Sequence, residues 1–216
     1  MRIPTTTSIR SLALLAGLLA LPSLPAPGQE SGFYFNAGIG PAIAEDVGVS
    51  EFLGSSSGKV RLDPGFHFTA AGGYHFTRWL AVEMETGYIG NNIDRIGSSS
   101  PDAFLSHVPF LANVVLRYDA DNFRLVPYAS AGAGGDSSIF FINDSLGLDG
   151  SDADVVFAFQ VSAGLLYKIN ETMSAGLGYK YYYADAPSWD VQNSAGRIRF
   201  GVSRVHLIAA VFNMKF

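Results

Sequence analysis

The residues best placed to do chemistry are charged groups recurring at the same parity within otherwise apolar stretches. Glu83 and Glu85 sit two apart, Asn113 and Arg117 four apart, and Lys168, Lys180 and Lys215 each lie between apolar or aromatic neighbours. Two carboxylates two residues apart share one face of a strand. Glu83 and Arg117 each fall a few residues from a short turn, which predicts similar depth and a Glu–basic pair, with Lys168 and Lys215 reaching the same level. In a narrow interior such charges must pair or hold water, because an unpaired buried ion costs several kcal/mol. The expectation is an interior polar network of Glu83, Glu85, Asn113, Arg117, Lys168, Lys180 and Lys215. It is read as a static plug, or alternatively as a salt-bridge gate across a narrow ion-conducting pore.

Other candidates carry less. Gly54-Ser55-Ser56-Ser57-Gly58 matches G-x-S-x-G, but a nucleophile elbow requires a strand, a turn and a helix around it. With Lys59 the stretch approaches a phosphate-binding loop, yet it is one spacer short and has Val60 where Ser or Thr belongs. The histidines are His67, His75, His107 and His206. His67 and His75 share a face roughly 26 Å apart at ~3.3 Å per residue, too far for one metal; His67 and His107 could both approach the outer rim, but no carboxylate or serine is spaced to orient them. Asp144, Asp149, Asp152 and Asp154 flank Gly147 and Gly150 without the alternating spacing of a calcium loop, so they are read as a solvated acidic loop able to bridge divalent cations to lipid phosphates. The expectation is no catalytic residue, cofactor or metal.

These residues are positioned by eight segments with period-two alternation, near 32–44, 64–76, 79–90, 104–118, 123–135, 153–168, 173–185 and 199–216. Each pairs an apolar face with a face of Gly, Ala, Ser and the polar residues above. In the fourth, Val108, Phe110, Val114 and Leu116 oppose His107, Asn113 and Arg117. In the sixth, Val155, Phe157, Val161 and Leu165 oppose Gln160, Ser162 and Lys168. The last runs Ile208, Ala210, Phe212, Met214, Phe216 on its apolar side. Connections after the even-numbered segments are short, around 77–78, 119–122 and 169–172. Those after the odd-numbered ones exceed ten residues and are rich in Ser, Gly, Asp and Asn. This predicts an all-β, eight-stranded antiparallel up-and-down transmembrane β-barrel with short periplasmic turns and long extracellular loops. Small inward residues suit an eight-strand interior, which side chains alone can fill.

Composition agrees. Charged residues are 15% of the chain against a usual ~25%, mean hydropathy is +0.21, and the mature sequence contains no apolar run of the ~20 residues a membrane helix needs. Residues 1–28 read as a secretory signal, with Arg2 and Arg10, an apolar Leu12–Leu21 and small residues at Ala26-Pro27-Gly28; residues 29–216 form one barrel domain. Removing Arg2 and Arg10 leaves 12 Lys+Arg against 19 Asp+Glu, a net charge of −7, which argues against nucleic-acid binding. With no cysteine, disulfides and thiolate metal sites are excluded.

The chain resembles the eight-stranded outer-membrane β-barrel family of the OmpA/OmpX type. The residues carrying the likeness are Gly72-Gly73-Tyr74-His75-Phe76 before a tight turn, Trp79-Leu80-Ala81-Val82-Glu83 after it, and Val126-Pro127-Tyr128 leading to Gly132 and Gly134. Ala175-Gly176-Leu177-Gly178-Tyr179-Lys180-Tyr181 and the terminal Phe216 complete the set. The resemblance implies an integral protein of the bacterial outer membrane with a structural or surface-interaction role, without a periplasmic peptidoglycan-binding domain. It also implies an assembly signal in Phe216, Met214 and Phe212, read by the barrel-insertion machinery. Implied partners are outer-membrane lipid, lipopolysaccharide and a surface ligand of the loops. A lipid-modifying outer-membrane enzyme is a third reading, for which a His–Ser pair on the wall would be needed.

Overall fold

The computed structural model describes residues 31–52, 55–96, 103–120, 122–142, 150–190 and 197–216. Among the described residues, twelve strands form one antiparallel sheet: β1 (Gly32–Ala44), β2 (Val47–Phe52), β3 (Ser55–Leu62), β4 (Gly65–His75), β5 (Leu80–Ile96), β6 (Ala103–Arg117), β7 (Leu125–Ile142), β8 (Gly150–Lys168), β9 (Met173–Ala184), β10 (Ser188–Asp190), β11 (Arg197–Phe200) and β12 (Ser203–Lys215). Eight of them, β1, β4, β5, β6, β7, β8, β9 and β12, close into a barrel. The seam pairs β1 with β12 from Tyr34↔Lys215 to Ala44↔Val205, and Phe216 N–H donates to Phe33 O at 3.0 Å. Closure leaves no free edge in the membrane-spanning wall, which lipid would leave unsatisfied.

The alternation has the expected sense. Outward residues such as Ile39, Phe68, Met84, Val114, Leu165, Leu177 and Ile208 are exposed, while the polar residues between them are buried. Around the tight-turn end, Phe33, Trp79, Tyr118, Phe123 and Phe216 stand exposed, as an interfacial aromatic girdle does. An exposed apolar belt of this extent is the reverse of a water-soluble surface. The tight turns are held by their own side chains. Thr77 Oγ1 accepts from Leu80 N–H at 3.0 Å, and Asn170 Oδ1 accepts from Thr172 N–H at 3.0 Å and Met173 N–H at 2.7 Å, the local bonding that favours Thr and Asn in turns.

At the opposite end the structure departs from the sequence reading. The connections after β5 and β7 were expected to exceed ten residues. Instead β5 runs on to Ile96, β7 to Ile142, and β8 starts at Gly150. The first and last long connections contain the hairpins β2–β3 and β10–β11. The physical reason is solvent: above the membrane a strand can face water, so Ser, Gly and Asp are compatible with pairing and the apolar alternation disappears. β8 has 19 residues, about twice the ~9–11 that cross a bilayer. In this projecting part β3 replaces β4 beside β5 (Val60↔Ile96), β2 pairs with β3, and β11 pairs with β2. The hairpins thus continue the wall beyond the membrane, with Val47, Val60, Leu62, Ile93 and Leu105 buried.

Candidate functional site

The inward face of the barrel is filled in three tiers. The middle tier is built on Asn113. Alternation on β5 turns Glu83 and Glu85 inward, and register places Asn113 of β6 opposite Glu83. Asn113 Nδ2 donates to Glu83 Oε1 at 3.2 Å and Glu85 Oε2 at 3.3 Å, while its Oδ1 accepts from Gln160 Nε2 at 2.9 Å. Tyr34 O–H donates to Glu83 Oε2 at 2.9 Å, and the Lys180 ammonium pairs with Glu85. A Cβ at Gly132 would overlap Asn113 Oδ1, so a residue without a side chain makes room for the hub. One ammonium faces two carboxylates, and neutral donors supply the rest of the stabilisation that buried charge requires.

The lower tier collects the other predicted cations, around a residue that sequence reasoning assigned only to a turn. Arg117 Nη2 donates to Asp119 Oδ2 at 3.3 Å, Lys215 Nζ to the same oxygen at 3.3 Å, and Lys168 pairs with Asp119 Oδ1. Arg117 Nη1 also donates to His75 Nε2 at 2.9 Å, and the His75 ring stacks on Tyr34 with centroids 4.3 Å apart. Burial alone would raise the Asp119 pKa; the Lys168 hydrogen bond and the charges of Lys215 and Arg117 outweigh it and hold the carboxyl below its ordinary 3.8. The expected Glu83–Arg117 pair is therefore corrected. Arg117 N–H bonds Trp79 O at the strand end, below the level of Glu83. The register Leu80↔Leu116 shows the two turns to be level, so Arg117, two residues from its turn, faces Trp79, whereas Glu83, five residues from its own, faces Asn113.

Between these tiers lies a cavity of ≈ 60 Å³ lined by groups including Asn36, His67, Glu85, Arg117, Lys180 and Asn213. At roughly 15 Å³ per water position, that is room for about four waters.

The upper tier is apolar. Ala42, Ile89, Leu111, Ala158, Tyr182, Ala184, Val205 and Leu207 form one cluster with 0–1% exposure. Beside it lies a constellation the sequence reading did not find. His107 Nδ1 is 2.7 Å from Asp136 Oδ2, Ser138 O–H donates to the same oxygen at 2.6 Å, and Ser138 Oγ is 3.2 Å from Nδ1. His107 stands opposite Ser138 in the β6–β7 register, so only the pairing reveals the contact. It is not a nucleophilic triad, in which the hydroxyl meets one imidazole nitrogen and the carboxylate the other. Here both meet Nδ1, the serine proton points at the carboxylate, and all three residues are at most 2% exposed. The group is a buried polar knot.

The remaining candidates separate. His67 is buried on β4 and His206 faces outward, with Tyr179 O–H 2.7 Å from its Nδ1. Among the described residues no group of three or more His, Cys, Asp or Glu could hold a metal ion. Gly54 lies outside the described residues, and Ser55 to Gly58 belong to β3, with no helix following. Asp144, Gly147 and Asp149 also lie outside them, whereas Asp152 and Asp154 are in β8. Phe212 and Phe216 are exposed and Met214 is half-buried on the outward row of β12.

The fold agrees with solved structures at low sequence identity. OprG from Pseudomonas aeruginosa aligns at TM-score 0.65 and 16% identity over 88% of this chain and 98% of its own. AlkL in lipid bilayers aligns at TM-score 0.54 and 17% identity over 91% and 95%, and Neisserial surface protein A at TM-score 0.51 and 18% identity over 87% and 100%. No curated protein matches. The sequence matches the family described as outer membrane protein beta-barrel domain over residues 11–204. The closed eight-stranded wall, its exposed apolar belt and this match agree, and the chain belongs to the outer membrane protein beta-barrel domain family.

Proposed function

We propose that this is a non-catalytic barrel whose working surface is the wall projecting outside the cell, and that its lumen does not conduct. The observation that carries the reading is the upper tier: side chains of 0–1% exposure fill the lumen beneath the projecting strands. Function then falls to the extended β5 to β8 and the two hairpins, consistent with a surface role such as the name of Neisserial surface protein A states for that protein. Residues 1–28 direct export and are removed before Gln29, leaving 29–216 as the barrel domain. The test is planar-bilayer recording of the purified barrel, with no conductance above the lipid background as the expected result. Steady single-channel steps would overturn it in favour of the narrow pore.

The outward row Phe212, Met214 and Phe216 serves as the assembly label. Phe216 is 77% exposed and contributes one backbone bond to the seam, little for it to stabilise. Deleting it is expected to slow insertion into outer-membrane lipid more than it lowers the urea midpoint of barrels already formed; equal effects would count against a label.

A further inference from the structure

We propose that the periplasmic mouth of the barrel is a binding site for an oxyanion, a phosphate or a carboxylate group presented from the periplasm. The mouth encloses ≈ 540 Å³, lined by groups that include His75, Asp119, Arg124, Lys168 and Lys215, within the size range of small-ligand pockets, roughly 300–1,000 Å³. Three cations, Arg117, Lys168 and Lys215, share the single carboxylate of Asp119, which leaves two positive charges unmatched within that group. Arg124 adds another at the rim, where it donates to Tyr167 O–H oxygen at 3.1 Å. Against these, exposed Glu171 and Phe216, the latter with its terminal carboxylate, also line the mouth.

The floor of the basin also holds donors without acceptors. His75, which lines the basin, is 4% exposed and its Nδ1 has no partner; Arg117, behind it, lines the inner cavity, is 6% exposed and has an unpartnered Nε. A cleft lined mainly by one sign of charge, with low-dielectric walls, concentrates counter-ions. The apolar tier above makes this cleft blind, so an anion entering from the periplasm meets the cations and goes no further. Lys168 and Lys215 are 27% and 37% exposed at their side chains, which lets them reach both Asp119 and an incoming oxygen. An oxyanion has the acceptor geometry for several such N–H donors at once.

The sequence has four lysines, Lys59, Lys168, Lys180 and Lys215, which provides an internal control. The mature chain, refolded in detergent micelles with ¹⁵N-lysine, is titrated with inorganic phosphate and separately with citrate, against chloride at constant ionic strength. The expected result is saturable movement of the Lys168 and Lys215 amide signals, with Lys59 and Lys180 unmoved. Tighter phosphate binding assigns a phosphoryl ligand, and tighter citrate binding a carboxylate. In the double variant Lys168→Gln, Lys215→Gln, checked for heat-modifiable gel mobility, binding weakens by roughly tenfold or more. Asp119→Asn removes the internal competitor and tightens binding. No saturable shift, movement of all four lysines together, or unchanged affinity in the double variant would overturn the site. None of these outcomes bears on the outer face, which lies at the other end of the barrel.

Discussion

Replacing Asn113 by leucine removes three hydrogen bonds, two of them to carboxylates buried at 6% and 7% exposure. Bonds to charged groups are worth about 1.5–3 kcal/mol each, and orphaned partners retain their desolvation cost. The variant is expected to lose about 3 kcal/mol in urea unfolding from vesicles. Adding Gln160→Leu should then cost less than it does alone, because its partner has already gone. The sequence identified Asn113 and both glutamates as inward polar groups, because alternation states which way a side chain points. It could not state which groups meet: Asn113 opposite Glu83, or Asp136 and Ser138 on His107, is a matter of register between segments distant in the chain. Asp119 was hidden for another reason, since an aspartate in a turn has a sufficient local explanation. Its depressed pKa has a consequence of definite sign. A carboxyl titrating lower in the folded state stabilises the fold above its unfolded pKa near 3.8 and loses that contribution as pH falls through the folded value. The urea midpoint should therefore fall below about pH 4, and Asp119→Asn should flatten that part of the profile; an unchanged profile would show that the three cations do not hold the carboxyl as drawn.

Strands obey different constraints along their length. Within lipid, each wall strand must present apolar side chains at every second position, which is why β8 is legible from Val155 to Tyr167. Beyond the membrane the same strand needs only its backbone partners, and its composition becomes that of a loop. The β2–β3 and β10–β11 hairpins were invisible for this reason. They are also separable from the membrane barrel, because β1 and β4 remain paired up to Ala42↔Gly65 without them. Replacing residues 45–64 by a short Gly-Ser turn is expected to leave insertion and heat-modifiable mobility intact. The upper half of β5 then loses the partner that Val60 and Arg61 provide to Ile96 and Arg95, so amides of residues 93–96 should exchange faster while those of 81–89, held by β4 and β6, remain protected. Failure to insert would show that the hairpins are needed for closure, and unchanged exchange would show that they do not hold the projecting wall.

Over the whole molecule, the three tiers act in series, and this decides between a plug and a gate. A salt-bridge gate requires that breaking the Lys180–Glu85 pair open the narrowest point of the path. The pair lies in the middle tier, beside a cavity already wide enough for water, whereas the upper tier is closed by Leu111, Ile89, Leu207 and the Tyr182 ring at 0–1% exposure. An ion crossing that tier would shed its water among packed side chains, with only the buried His107–Asp136–Ser138 group beside them to replace it, at a cost of several kcal/mol. Glu85→Gln alone is therefore expected to leave conductance at the lipid background, although it removes the charge the gate would depend on. Leu111→Ser with Ile89→Ser leaves the pair intact but wets the upper tier; combined with Glu85→Gln it should give measurable current. The ordering carries the test. Conduction by Glu85→Gln alone would place the barrier in the middle tier and restore the gate, conduction by Leu111→Ser with Ile89→Ser while the pair is intact places it in the apolar tier, and conduction only in the triple variant shows that both tiers block.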